Sequence, residues 1–248
     1  TIVGIDWSMF NSRLIVTLDG YYKYTKDLLM NVPLPSPYPS IYRNEGEMSN
    51  WGLELAINSV NIEKNDWRWT TDFNISMNRN RLEKLNLQQV YYYTQTSEAL
   101  SEYVVRMTPG QPLSQFWGYT ALGVDPETGK PGFEDLTGEG DINQDDMQMI
   151  GIGIPKATFG LTVNLAYKNF DMVIFGTGVA GNKIFPSSWR TDRPHCNTYD
   201  WYWENSWKKD GSNPNPKFPG TTYWDQITFS STYNLFDGSY FKIKQIQL

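Results

Sequence analysis

The chain has 248 residues, a net charge of −6, one histidine and one cysteine. Its acidic balance leaves no basic surface to neutralise phosphates, so we expect no nucleic-acid partner. A single cysteine cannot form an internal disulfide, and a single histidine argues against sites built on several histidines. No apolar run reaches the length of a membrane-spanning helix. Aromatic residues nevertheless make up 15% at a mean hydropathy of −0.52.

The first predicted element is a hairpin over residues 2–24 that turns near Asn11, with its second strand at 12–24. Apolar and polar side chains alternate along this strand, which predicts one apolar and one polar face. The apolar face carries Leu14, Val16, Leu18, Tyr22 and Tyr24. The other face carries Thr17, Asp19, Tyr21 and Lys23.

The next predicted strands cover residues 51–62 and 67–78 and are joined by a short polar turn near Lys64. The second of them alternates most clearly. Its two faces carry Trp67, Trp69, Thr71, Phe73, Ile75 and Met77, against Arg68, Thr70, Asp72, Asn74, Ser76 and Asn78. In the first strand Leu53, Leu55 and Ile57 oppose Glu54 and Asn58.

A third predicted hairpin has strands at 157–168 and 169–180, with its turn near Lys168. These strands are about 10 to 13 residues long, whereas strands in soluble sheets average roughly 5–6. A tilted strand that crosses a bilayer needs about 9–11 residues. We therefore predict an all-β chain of antiparallel transmembrane β-barrel strands. Their apolar residues, including Leu53, Phe73, Ile75, Leu161 and Val163, should face lipid.

The connections are unequal in length. Tight turns alternate with long segments at 25–50, 79–155 and 181–238, and loops beyond about 12–15 residues are unusual in compact domains. Outer-membrane barrels combine short periplasmic turns with long external loops. We therefore expect the tight turns in the periplasm and the long segments outside the cell, with the proline-rich segment 25–50 extended and stiff. Both termini lie in strand-like sequence, so we expect a fragment of a longer barrel.

Asp141, Asn143 and Asp145 have a spacing that can place oxygen ligands around Ca²⁺. The sixth position of this motif is Asp146 instead of glycine, and the twelfth is Ile152 instead of glutamate. The alternative is a loop whose side chains bond their own backbone. Calcium is the only cofactor that the pattern suggests.

Segment 181–238 is rich in aromatic residues, and flat rings can stack on sugars. The candidate ligand-binding residues are Trp201, Trp203, Trp207, Tyr223 and Trp224. The alternatives are packing within the segment, contact with a partner protein, or an aromatic girdle at the membrane interface. We assign the girdle instead to Trp67 and Trp69 at one end of the strands and to Tyr22 and Tyr24 at the other.

No enzymatic site is evident. His195 and Cys196 are adjacent but have no further ligand of their kind. Neighbouring carboxylates such as Asp145 and Asp146 do not face each other across a substrate, as glycoside hydrolysis requires. We therefore predict a protein that is not an enzyme.

Several segments in order resemble the C-terminal barrel portion of SusC-like TonB-dependent transporters. They are LDGYYKYTKDLLM at 18–30, NEGEMSNWGLELAI at 44–57, DWRWTTDFNISMNRNRLEKL at 66–85, GQPLSQFWGYTALGVDPETGKPGFED at 110–135 and FDGSYFKIKQIQL at 236–248. The resemblance extends over residues 1–248, and it implies that the plug domain and the last strands of the barrel lie outside them.

This resemblance implies an importer in the outer membrane of Bacteroidetes-type bacteria. Such a barrel, of the 22-stranded plugged class, takes up oligosaccharides or peptides. A SusD-like surface lipoprotein would cover it, and TonB would supply energy. The rival hypothesis, a soluble β-sandwich carbohydrate-binding module, explains the aromatic content but not the strand lengths or the alternation of turns and long segments.

Overall fold

The computed structural model describes residues 1–32, 37–85, 91–97, 100–186 and 199–248. The strands in chain order are β1 (Ile2–Met9), β2 (Leu14–Val32), β3 (Ile41–Lys64), β4 (Trp67–Leu85), β5 (Tyr91–Ser97), β6 (Leu100–Met107), β7 (Gln115–Gly118), β8 (Ala121–Val124), β9 (Pro131–Phe133), β10 (Gln148–Ile152), β11 (Ala157–Tyr167), β12 (Phe170–Ala180), β13 (Lys183–Ile184), β14 (Phe236–Asp237) and β15 (Tyr240–Gln247). Two short helices are α1 (Asp200–Asn205) and α2 (Gln226–Phe229). In the described part of the chain no helix is both long and apolar enough to span a membrane.

The largest sheet has seven strands in the order β1-β2-β3-β4-β11-β12-β15, and all its pairs are antiparallel. Its hairpins turn where the sequence predicts. Asn65 has φ of 55° and Lys168 has φ of 52°, a left-handed conformation that two-residue hairpin turns require. The predicted strands 12–24, 51–62, 67–78, 157–168 and 169–180 therefore all lie in this sheet.

The register places apolar side chains opposite one another, and paired residues share a face. One row crosses the whole sheet through Ile5, Leu18, Leu55, Ile75, Phe159, Gly178 and Phe241. Gly178 is required here because the rings of Phe159 and Phe241 stack beside it, with centroids 6.0 Å apart. A Cβ at Gly178 would lie 2.5 Å from Phe159 Cζ. The predicted division into an apolar and a polar face is confirmed.

On strands β1 to β4 and β11 the opposite face of the sheet is largely polar, and side-chain hydrogen bonds join parts of it. The Asn58 amide donates to Asp72 over 2.6 Å, and the Asn164 amide donates to Thr70 over 3.1 Å. The Thr17 hydroxyl donates to Asp6 over 2.6 Å. These bonds link β1 with β2, β3 with β4 and β4 with β11, and we call this face of the five strands the polar wall.

Aromatic side chains mark both ends of the apolar face. Near the tight turns the rings of Trp67 and Tyr167 lie 4.5 Å apart, and at the other end Tyr22 pairs with Trp51. The stretch of β3 from Trp51 to Ile62 is roughly 36 Å long at about 3.3 Å per residue, and a tilt of about 40° lowers its height to about 28 Å. This height matches the hydrocarbon layer of a bilayer, about 30 Å.

Segment 25–50, predicted as a stiff, extended connection between strands, is mostly paired strand in its described residues. Strands β2 and β3 remain paired up to Val32 and Ile41, with register shifts between Thr25 and Leu29. Strand β4 likewise continues to Leu85. Beyond the aromatic row the strands no longer need an apolar face, so the alternation that identifies them stops although their backbone hydrogen bonds continue.

Residues 79–155 and 181–238 are not simple loops either. Their described residues include a sheet in the order β10-β7-β6-β5 and the pairs β8-β9 and β13-β14. Tyr202, Phe218 and Tyr233 are buried in a core to which Phe133 and Trp224 also contribute. We call the described residues 104–155 and 199–238 the outer region. The adjacent His195 and Cys196 lie outside the described residues.

The segment 134–148 of the outer region is held by two carboxylates. Asp146 is fully buried and accepts hydrogen bonds from the backbone N–H groups of Asn143 (2.9 Å), Leu136 (2.8 Å) and Thr137 (3.2 Å). Asp135 accepts from Gly138 and Gly140 over 2.6 and 2.8 Å. Backbone donors favour the charged carboxylates, so they lower the pKa of Asp146 and of Asp135.

We predict that Ile75→Arg costs the complete barrel about 2–4 kcal/mol of stability in lipid, because it places a charge in the middle of the apolar face. Asn74→Arg, one residue away on the polar wall, is the matched control and should cost much less. Denaturant titration of the full-length protein in lipid vesicles measures both. Equal costs would show that the apolar face does not contact lipid.

We also predict that segment 134–148 loosens in acid. A carboxylate with a lowered pKa in the folded state contributes stability above its unfolded pKa of about 3.9, and this stability is lost as pH falls through the folded pKa. Asp146→Asn should lose hydrogen-exchange protection in this segment already at neutral pH. Asp145→Asn, at an exposed neighbour, is the control. Equal protection in both variants would contradict the role of Asp146.

Candidate functional site

The short helix α1 brings part of the predicted aromatic site into one cluster. Trp201 contacts Phe218 and Phe236, each with ring centroids 5.7 Å apart. Tyr202 lies 4.7 Å from Phe218 and 5.5 Å from Trp224. Tyr202 lies at the centre of this group because its side chain is buried. The sequence pattern does not show which aromatic residues are buried. We call these five residues the aromatic cluster.

Burial also affects the tyrosine hydroxyls of this core. It raises the pKa of Tyr202 above its ordinary value and that of Tyr233 to about 12. The Tyr233 hydroxyl donates to the carbonyl of Gly123 over 2.6 Å. Both hydroxyls therefore stay protonated at neutral pH, so neither can act there as a base.

Trp207 has a structural role. Its indole N–H donates to the carbonyl of Pro126 over 2.8 Å, and its ring covers Gly129, which has φ of 73°. A Cβ at Gly129 would lie 2.3 Å from Trp207 Cδ2. Trp207 thus holds the β8-β9 turn, and Tyr223 packs next to it against Gly220.

Trp201 and Trp203 are the most accessible candidates. Their side chains are exposed, Trp201 by 43% and Trp203 by 53%. The Lys208 ammonium lies 2.8 Å from the centroid of the Trp203 ring, which is cation–π geometry. The five predicted ligand-binding residues therefore divide into two exposed rings and three partly buried ones, Trp207, Tyr223 and Trp224. Ligand contact remains a prediction.

The structure gives the candidate calcium loop a second explanation. Asn143 accepts from the backbone N–H of Asp145 over 2.8 Å and donates to Glu139 over 2.5 Å. Asp141 and Asp145 are exposed, whereas the buried carboxylate is Asp146. The spacing of Asn143 and Asp146 is that of a capping box, a signal that the sequence reasoning missed. Across the described ranges no three acidic, histidine or cysteine residues are grouped as metal ligands. Calcium binding stays a prediction.

The family model for the TonB dependent receptor-like β-barrel matches residues 3–239. TonB-dependent receptor P3 of Formosa agariphila is 30% identical over 98% of the chain. TonB-dependent receptor SusC of Bacteroides thetaiotaomicron is 31% identical over 68% of it. The solved structure of the RagAB peptide transporter superimposes with a TM-score of 0.80 over 99% of the chain at 23% identity, a likeness of fold.

The chain spans only part of these proteins. It covers 26% of receptor P3, 18% of SusC and 28% of the matched RagAB chain. The match to the family model and the two-faced sheet agree on the architecture. The chain belongs to the TonB-dependent receptor-like β-barrel family, and its seven-stranded sheet is part of an outer-membrane barrel.

Proposed function

We propose that the complete protein is a SusC-like importer that takes up oligosaccharides or peptides, with this chain as barrel wall and external region. The main support for this proposal is the seven-stranded sheet, which combines an apolar face of bilayer height with a hydrogen-bonded polar wall. The polar wall would line the lumen or contact a plug through Arg68, Asp72, Asn74, Asn78, Glu54 and Asn58. The family supports this proposal, because its named members are TonB-dependent receptors.

We further propose that the tight turns face the periplasm and the outer region faces the cell exterior. In this orientation a SusD-like lipoprotein would dock on the outer region, and TonB would act through parts outside these residues. The exposed rings of Trp201 and Trp203 support a docking or ligand-contact role, since exposed aromatic groups are enriched at binding surfaces. Neither proposed role is enzymatic.

The soluble carbohydrate-binding module is less favoured. Leu53, Ile243 and Ile246 are more than half exposed and share a face with the apolar row of all seven strands. A soluble domain seldom leaves so large an apolar surface in water. A membrane covers it without further protein.

The substrate proposal predicts energised uptake. Cells that express the complete protein should accumulate a labelled oligosaccharide or peptide, and a proton uncoupler should abolish the uptake. Trp203→Ala should lower uptake about two- to tenfold, because an aromatic contact contributes about 0.5–1.5 kcal/mol. Trp207→Ala is the contrasting variant, which should lower the amount of folded protein. Unchanged uptake by folded Trp203→Ala would exclude ligand stacking at this ring, and uptake that resists the uncoupler would exclude energised import.

If a lipoprotein docks on the outer region, we expect the loop at residues 208–217 to contribute to its binding. Residues 208–217 form a loop whose ends meet, because Ser206 and Phe218 are bridged and the Trp207 N–H donates to the Phe218 carbonyl over 2.9 Å. Replacing this loop by two glycines in the complete protein should weaken co-purification of the lipoprotein. The matched control replaces the turn residues Asn65 and Asp66 by two glycines. Undiminished co-purification would show that the loop serves another purpose.

A further inference from the structure

Strand β4 extends past the start of β11, and this difference in length opens a notch in the sheet. Their pairing ends at Thr158 and Ser76, while β4 continues to Leu85. Further along β4, the Leu82 backbone bonds Gly110 and Gln111 over 2.6 and 2.9 Å. The resulting cavity of about 280 Å³ is lined by residues that include Trp51, Arg79, Arg81, Pro112, Ile154 and Lys156. We call these six residues the notch.

The register places Trp51 and Arg79 of the notch on the apolar face of the sheet, whereas Asn78 and Asn80, which belong to the other face, also line the cavity. Trp51 pairs with Tyr22 and with Arg79, and the preceding row towards the membrane centre is Leu53 with Met77. Residues two apart on a strand share a face, so Trp51 and Arg79 lie on the apolar side, about 7 Å beyond the last apolar row. This is the level of lipid headgroups, where tryptophan is enriched.

The notch combines positive charge with apolar walls. Arg79 Nη1 donates to the carbonyls of Asn78 and Lys156 over 2.9 and 2.8 Å, which fixes the guanidinium at the rim. Arg81 lies 3.8 Å from Glu83, so its charge is partly compensated. Within the described ranges no acidic side chain lies within ion-pair distance of Arg79 or Lys156. The side chains of Trp51 and Ile154 supply apolar surface beside them.

We propose that the notch binds the phosphate-bearing headgroup of an outer-leaflet lipid. Arginine bonds phosphate oxygens through two parallel N–H groups, and basic pockets at the membrane surface recognise anionic headgroups. Arg79 and Lys156 contact the phosphate, and the start of an acyl chain lies against Trp51 and Ile154. The notch is continuous with the lipid-facing surface, which favours a lipid over a soluble anion. The choice of leaflet rests on the orientation under the proposed function.

The test uses the full-length protein purified in detergent and native mass spectrometry with two probes, lipid A with its phosphates and dephosphorylated lipid A. The wild-type protein should retain the phosphorylated lipid preferentially. Arg79→Gln should lower its apparent affinity roughly tenfold, the loss expected for a charge-assisted bidentate contact. Lys168→Gln is the matched control, because Lys168 is an exposed cation beside an aromatic ring at the opposite end of the same sheet. It should bind like the wild type.

The variant Ile154→Ser tests the apolar contact of the acyl chain, and a gel assay checks that the variant still folds. Ile154→Ser should weaken both lipid probes, while heat-modifiable migration in gels confirms that each variant is a folded barrel. Equal binding of the two lipids, equal loss in Arg79→Gln and Lys168→Gln, or full displacement by inorganic phosphate would overturn the proposal. Preference for phosphatidylglycerol over lipid A would overturn the assignment to the outer leaflet. None of these measurements requires transport, so failed nutrient uptake with intact lipid binding would reject only the importer.

Discussion

The register of the seven-stranded sheet is the constraint on which the rest of the structure depends. A shift of one residue in any strand would turn its apolar side chains to the polar wall and its charges to the membrane. Lipid offers no hydrogen-bond partners, so each strand must satisfy its backbone groups through its neighbours. The row through Leu55, Ile75 and Phe159 satisfies both demands at once. Where two rings stack across a strand, Gly178 leaves the space.

Strands β2, β3 and β4 extend beyond the membrane level and support what lies outside it. Their backbone pairing continues through residues such as Lys84 and Arg43, which water can solvate. Strand β11 begins at Ala157 and pairs with β4 only as far as Ser76, whereas β4 continues to Leu85. The edge of the sheet is therefore uneven at this point. The outer region attaches to the part of β4 that does not pair with β11, and the gap that remains is the notch. The same difference in strand length thus positions both the outer region and the proposed lipid site.

The strands and helices of the outer region are short, and two further kinds of contact stabilise it. Aromatic rings around Tyr202 and Phe218 supply buried apolar area. Carboxylates such as Asp146 and Asp125 accept backbone N–H groups that no strand partner would otherwise bond. This arrangement explains why the aromatic residues of the outer region differ in their exposure. Trp207 and Trp224 support the region from within, whereas Trp201 and Trp203 present ring surface outside it.

The amino-acid sequence by itself determined the membrane strands, because period-two alternation is a local property that lipid on one side and polar groups on the other enforce. It also located the tight turns at Asn65 and Lys168. It did not show the strands at 25–32 and 41–50, which lie beyond the apolar face, so that no alternation is required there. The roles of the aromatic and acidic candidates were also beyond the sequence, since residue type and spacing cannot distinguish a buried side chain from an exposed one. Tertiary structure decided that Asp146 instead of Asp145 is buried, and that Arg79 meets Lys156 although 77 residues separate them, because both depend on contacts between distant segments.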